Sequence, residues 1–250
     1  MSRALLLLLI DALIPGTLGG MTATESASRT ARERARTELT REIKEEARRQ
    51  LAAHGAQGLS LRAVARELGM VSSALYRYFP SRDELLTALI IDAYDALAAA
   101  AETASAGPPD ARGRWRAACG AVRDWARAHP HEYALIYGSP VPGYQAPQAT
   151  VASAVRVARV LGGLLAGAST ARDGAGPPLP PVLGEQATTV AEAIAPGVPG
   201  PVIVRGLIAW TQLFGMISFE LFGQFVGSLD PADEFFGYTV EQMADFAGIT

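Results

Sequence analysis

Among 250 residues there is a single cysteine, Cys119, so no internal disulfide can form and no second thiol stands at zinc-ligand spacing. A disulfide scaffold and a zinc finger are both excluded, and a reducing cytoplasm is the expected compartment. Only three histidines occur, and none belongs to a His/Glu metal pattern. No metal site is therefore expected. A Gly-x-Ser-x-Gly elbow is missing as well, and "YGSPVPG", residues Tyr137 to Gly143, leaves Ser139 without an obvious base partner. With no phosphate-cradling glycine loop either, the chain is not expected to be an enzyme or to carry a cofactor. Alternating runs bounded by turn residues are also lacking, which removes the case for strands and leaves an all-α reading.

Long apolar stretches are equally scarce at the N-terminus. "MSRALLLLLIDALIPG" holds an apolar run only from Ala4 to Ile10, too short to span a bilayer, ended by Asp11 and followed by no small-x-small cleavage site. Residues 1–28 are accordingly expected to be a flexible extension, of which 1–20 are dispensable. What remains is ordinary for a folded chain, with 49% apolar and 19% charged residues.

Charge is unevenly placed although the formal net charge is only −3. Residues 29–82 carry 12 Lys and Arg against 6 Asp and Glu, whereas residues 83–250 carry 9 against 17. A basic segment joined to an acidic remainder points to a polyanion as partner for one end only. Solvated helix faces would give the same counts, so charge alone leaves both readings open.

Helical periodicity begins at about Thr30, where Leu39, Ile43, Ala47 and Leu51 recur every fourth residue as far as Ala53. Ser60 precedes a second, short helix as an N-cap, and Gly69 closes it. After the turn "GMV", a third helix is expected over Ser72 to Phe79, stopped by Pro80. Ser81 caps a fourth, with Asp83 and Glu84 in its first turn and Leu86, Ile90, Tyr94 and Leu97 as its buried stripe. Further helices are expected around Trp115 to Ala126, within His129 to Gln148, and over Ala149–Gly167, Val182–Ala195, Val202–Gly227 and Pro231–Phe246. The Gly/Pro-rich "GAGPPLPP" is expected to be a loop.

Two short helices around a Gly-containing turn, within the basic segment, fit a helix-turn-helix for double-stranded DNA. The second helix would enter the major groove, where small or hydrogen-bonding residues are required, and Ser72, Ser73 and Ala74 satisfy that demand. Tyr76, Arg77 and Tyr78 would clamp phosphates or read further bases, while Ser60, Arg62 and Arg82 stand at helix starts suited to phosphates. A buried helical hairpin, in a protein-interaction module without DNA binding, is the alternative.

The segment "GLSLRAVARELGMVSSALYRYFPSRDELL" resembles the N-terminal DNA-binding domain of the TetR family, over about Thr37 to Leu97. The matched elements are Gly58-Leu59-Ser60, Val64-Ala65, Leu68-Gly69, Leu75-Tyr76, Tyr78-Phe79-Pro80-Ser81 and Leu85-Leu86. The resemblance implies base or near-base contacts for Arg62 and Ser72 to Ala74, and phosphate contacts for Tyr76, Tyr78 and Arg82. Arg82 stands where Lys is common in the family, and Met70 replaces a more usual Val. "WARAHPHEYALIYGSPVPGY", Trp125 to Tyr144, is similar to the C-terminal domain of the WHG subgroup.

The organisation expected is residues 29–80 as a helix-turn-helix domain and residues 81–250 as a larger helical domain for ligand binding and dimerisation. The nearly all-apolar Val202–Gly227 reads as a helix buried in a core or an interface. It is no membrane span, since Arg205, Gln212, Glu220 and Gln224 share about a third of its circumference. Paired with the last helix across a two-fold axis, it would make a homodimer. Trp125, His129, Tyr133, Tyr137, Trp210 and Phe214 are the candidate ligand-binding residues, with Trp115 and Met216 as further soft walls. Their apolar cast favours a small hydrophobic effector, whose binding would release a repressor from a palindromic operator.

Overall fold

The computed structural model describes residues 23–168 and 178–250. Two contact units divide the chain, one ending at Glu42 and the other running from Ile43 to Thr250. Residues 1–22 of the expected extension, and much of the Gly/Pro-rich loop, lie outside the described residues.

The first helix, α1 (Ala23–His54), starts earlier than its apolar stripe, because Ala, Glu and Arg continue it upstream with no Gly or Pro before Gly55. Within its N-terminal unit, Thr37 and Thr40 back-bond to Glu33 and Arg36, and Glu38 pairs with Arg41. In the second unit, α2 (Leu61–Glu67) opens on Ser60, whose hydroxyl accepts from the Ala63 N–H at 3.4 Å. Gly69 then takes a left-handed φ of 64°, and the Met70 N–H reaches back to the Ala65 carbonyl at 2.8 Å. That glycine fixes the angle at which the next helix leaves.

The following helix, α3 (Ser72–Leu75), is shorter than the periodicity implies. The amides of Tyr78 and Phe79 both return to the Leu75 carbonyl, a tightened ending that the restricted residue before Pro80 enforces. Ser81 caps α4 (Arg82–Ser105) by accepting from the Glu84 N–H at 3.1 Å. Ile43, Ala47 and Leu51 of α1, Val64 and Ala65 of α2, Leu75, Phe79 and Leu85 are all buried, so both short helices have an anchored underside.

Six further helices complete the body: α5 (Ala111–Ala128), α6 (Pro130–Tyr137), α7 (Val151–Gly163), α8 (Pro181–Ile194), α9 (Gly200–Leu221) and α10 (Asp233–Ala247). Among the described residues no strand occurs. The long α4 packs on α5, α6 and α7, and α9 packs on α8, α10 and α5. α9 stops short of the expected Gly227 because Gly223 turns the chain with a φ of 77°.

Two segments, 148–167 and α9, are long and apolar enough to cross a bilayer by length and composition. Both pack into the helical body, and α9 buries Arg205 and ion-pairs Glu220. Arg123 of α5 holds Glu220 through two 2.7 Å bonds, reaches Asp233 of α10 at 2.9 Å, and lies over the Phe236 ring. One guanidinium thereby ties three helices. Glu241 of α10 is bound by Arg116 and by Arg112, which also holds Asp245 at 2.7 Å.

Candidate nucleic-acid interface and effector cavity

Hydrogen bonding separates the basic side chains of the second unit into two groups. Lys44 and Arg48 both hold Asp92 of α4, at 2.8 and 2.7 Å, Arg48 reaches Glu132 of α6 at 3.0 Å, and Arg49 pairs with Glu46. Those charges are neutralised within the protein. Arg62 on α2 and Arg77 after α3 are exposed, and no hydrogen bond or ion pair among the described residues engages either guanidinium. The hydroxyls of Ser72 and Ser73 and the phenols of Tyr76 and Tyr78 are unengaged too. Tyr76 is 42% exposed, Ser73 is exposed, and Ser72, Ala74 and Tyr78 are half-buried.

These side chains belong to α2, α3 and the turn after it, and α2 packs directly on α3. Leu75 at 0% and Phe79 at 7% exposure form the opposite, buried side. A short helix pinned by two apolar residues thus presents donors and acceptors that lack protein partners. Such a surface can bind phosphate oxygens and base edges.

Two of the nine sequence-selected positions also hold contacts inside the protein. Ser60 is occupied as the α2 cap, and its backbone N–H donates to the Gln50 side chain at 3.3 Å. Arg82 donates from Nη2 to the Ala56 carbonyl at 2.7 Å, from Nε to the Leu59 carbonyl at 3.2 Å, and from Nη1 to Asp83 at 3.4 Å. It stitches the start of α4 to the loop before α2. Sequence position could not reveal this, because the acceptors are backbone carbonyls 23 and 26 residues away.

The six candidate ligand residues likewise fall into distinct groups. Trp125 and His129 stack on one another at 5.0 Å, and His129 Nδ1 lies 3.0 Å from the Trp125 carbonyl at the α5–α6 junction. Tyr133, fully buried, donates its phenol to the Phe214 carbonyl and meets Ser218 Oγ at 2.9 Å. Tyr137 contacts Phe214 at 4.3 Å, and Phe214 contacts Trp210 at 4.4 Å. These rings form a continuous chain from α6 to the middle of α9. Burial, with the neighbouring Tyr94 and Tyr133, pushes the Tyr137 phenol far above its ordinary range, so it stays neutral.

Of the six, only Trp210 lines the apolar cavity of the body. That cavity, of about 140 Å³, lies among α5, α7, α8 and α9, and every described residue lining it is apolar or glycine. Its walls include Trp115, Leu161, Gly162, Leu165, Gly206 and Leu207. Trp115 directs its indole N–H away, to the Val240 carbonyl at 3.0 Å. Tyr133, Tyr137 and Phe214 pack against one another in the body, whereas the cavity is walled by Trp115, Trp210 and aliphatic residues from four helices distant in sequence. A wider cleft of about 460 Å³ opens between the turn after α1, α6 and residues 138–141, with His54, His131, Ser139 and Phe222 on its rim.

Residues 43–89 match the sequence model for bacterial regulatory proteins of the tetR family, and residues 115–243 match that for a tetracyclin repressor-like C-terminal domain. Helix-turn-helix-type transcriptional regulators of Mycobacterium tuberculosis and Mycobacterium bovis are each 42% identical over 205 residues, covering 76% of this chain and 84% of theirs. Among solved structures, the regulatory protein SCO4313 superposes with a TM-score of 0.73 at 35% identity, covering 85% of this chain and 98% of that one. A Rhodococcus protein of unknown function superposes with a TM-score of 0.61 at 27% identity, over 84% and 95% of the two chains.

Proposed function

The chain belongs to the TetR family of transcriptional regulators with a helix-turn-helix DNA-binding element, and from that premise we propose that it is a cytoplasmic homodimeric repressor, released from a palindromic operator by a small hydrophobic effector. Residues 29–80 are the DNA-binding part and residues 81–250 the effector and dimerisation part. The observation that carries the DNA contacts is the set of unengaged side chains Arg62, Ser72, Ser73, Tyr76, Arg77 and Tyr78, whereas the nearby Lys44, Arg48 and Arg49 of α1 are paired internally. Ser72, Ser73 and Ala74 read bases; Arg62, Tyr76, Arg77 and Tyr78 hold the backbone. Ser60 and Arg82 act one step back, by holding α2 and α4 in register.

An exposed stripe on α9, Ile208, Thr211, Gln212, Gly215 and Phe219, continued by Phe222 just past its end, supports the dimer. Added Cβ atoms at Gly215 of α9 and Gly237 of α10 would meet open space, as expected for helices that a second copy approaches closely. Two such copies would set their recognition helices about one DNA turn, ~34 Å, apart.

The cavity is the proposed effector site. Trp210 touches it, Phe214 and Tyr137 continue the ring chain to α6, and Glu132 of α6 holds Arg48 of α1. An effector that displaces Trp210 would therefore bias the helix that carries the DNA-binding part.

Selecting random duplexes with the purified full-length protein and sequencing the survivors tests the DNA reading. A palindromic consensus, bound with an affinity that falls steeply as salt rises, is the expected result. No enrichment, or binding indifferent to salt, would overturn it.

A further inference from the structure

The cavity limits the chemistry of its occupant more tightly than hydrophobicity alone. Its volume of about 140 Å³ is close to that of engineered protein cavities, about 150 Å³, that stay dry and admit benzene. Two glycines stand in its walls. A Cβ on Gly206 would stand 2.3 Å from Leu165 Cδ1, and one on Gly162 would stand 3.2 Å from the Ile194 carbonyl and 3.3 Å from its Cγ1. At both positions a neighbouring wall residue, Leu165 or Ile194, already fills the place a side chain would take.

No described wall residue carries a charge that could pair with an ionised ligand. The Trp115 indole N–H is already donated to Val240, the lining side chains are otherwise hydrocarbon apart from Trp210, and no described residue of the lining is ionisable. A carboxylate, phosphate or ammonium entering this space would lose its hydration and find no ion partner. A flexible long chain would exceed the volume. A compact ring fills it in one pose and loses little conformational freedom.

We infer that the effector of this protein is a compact, uncharged, predominantly hydrocarbon ring molecule, of one or at most two fused rings, held between Trp115 and Trp210. This rests on the cavity being the effector site. An ionised group on such a molecule is not compatible with the site.

Calorimetric titration of the full-length protein with toluene, indole and benzoate, together with tryptophan fluorescence, tests the inference. Toluene and indole should bind and perturb the emission, and benzoate should bind at least ~100-fold more weakly. Ala158→Leu, a change on the half-buried rim, should abolish toluene binding while leaving the melting temperature close to that of the parent. Leu165→Ala should extend the accepted size to anthracene, whose three fused rings the parent chain excludes. Equal affinity for benzoate and toluene, or toluene binding unaffected by Ala158→Leu, would overturn the inference.

Operator DNA separates the inference from its premise. Toluene that binds without weakening the DNA complex supports this ligand class and sinks the effector reading. Release of DNA by benzoate, with toluene inert, overturns the ligand class and leaves an effector acting elsewhere.

Discussion

Arg77 and Arg82 stand five residues apart with the same guanidinium and opposite situations. Arg77 is exposed with no partner among the described residues, whereas Arg82 holds two carbonyls of the loop before α2. Arg77→Ala should weaken binding to all duplexes alike and reduce the salt slope by about one, without moving the melting temperature. Arg82→Ala should lower stability by roughly 1 to 2 kcal/mol, since hydrogen bonds from a charged donor to backbone are lost at a partly exposed site. Urea melts and fluorescence anisotropy against salt separate the two outcomes. Cys119 shows the opposite extreme of burial, wholly enclosed in α5 with its thiol pushed far above the ordinary range by desolvation. A thiol reagent should label it no faster than the native state opens, which timed mass spectrometry of the unlabelled fraction measures.

Helices α5, α9 and α10 are joined by arginine clusters of unequal burial. Arg123 is 7% exposed and bonded to Glu220 and Asp233, so Arg123→Ala leaves Glu220 in the body with only the longer, 3.8 Å approach of Arg127. A loss of about 3 kcal/mol is expected, whereas replacing Arg123 and Glu220 together with Met and Leu should recover much of it; chemical denaturation of both variants checks this. The outer cluster behaves differently with pH. Hydrogen bonds from Arg116 and Arg112 lower the Glu241 carboxyl from the usual 4.5 to about 2. A lowered folded-state value means that the contribution is complete above about pH 4.5 and disappears as the pH falls towards 2. The site is largely solvated, so the effect is small, below about 1 kcal/mol. Glu241→Gln should flatten that part of the stability profile, as urea midpoints at pH 6 and pH 3 would reveal.

At the level of the whole molecule, the proposed dimer rests on the exposed α9 stripe. Phe219 is 54% and Ile208 49% exposed on the same face. Phe219→Glu should yield a monomer in sedimentation velocity, with the helical far-UV spectrum retained. Operator affinity should then fall by at least tenfold, because each half-site loses the binding energy of the other. A variant that remains dimeric would remove α9 from the interface.

Local signals determined the helical class, the caps at Ser60 and Ser81, the turn at Gly69 and the anchoring pair Leu75 and Phe79, because each depends on residues within four positions of one another. The exposed polar side of α3 follows from that same spacing. Tertiary structure alone decided that Arg82 faces carbonyls, that Tyr133, Tyr137 and Phe214 fill the core, and that the apolar cavity lies among Trp115, Leu165, Gly206 and Trp210. A cavity is the volume that packing fails to fill. It arises from where four helices stop approaching one another, and no single helix carries that distance in its own periodicity.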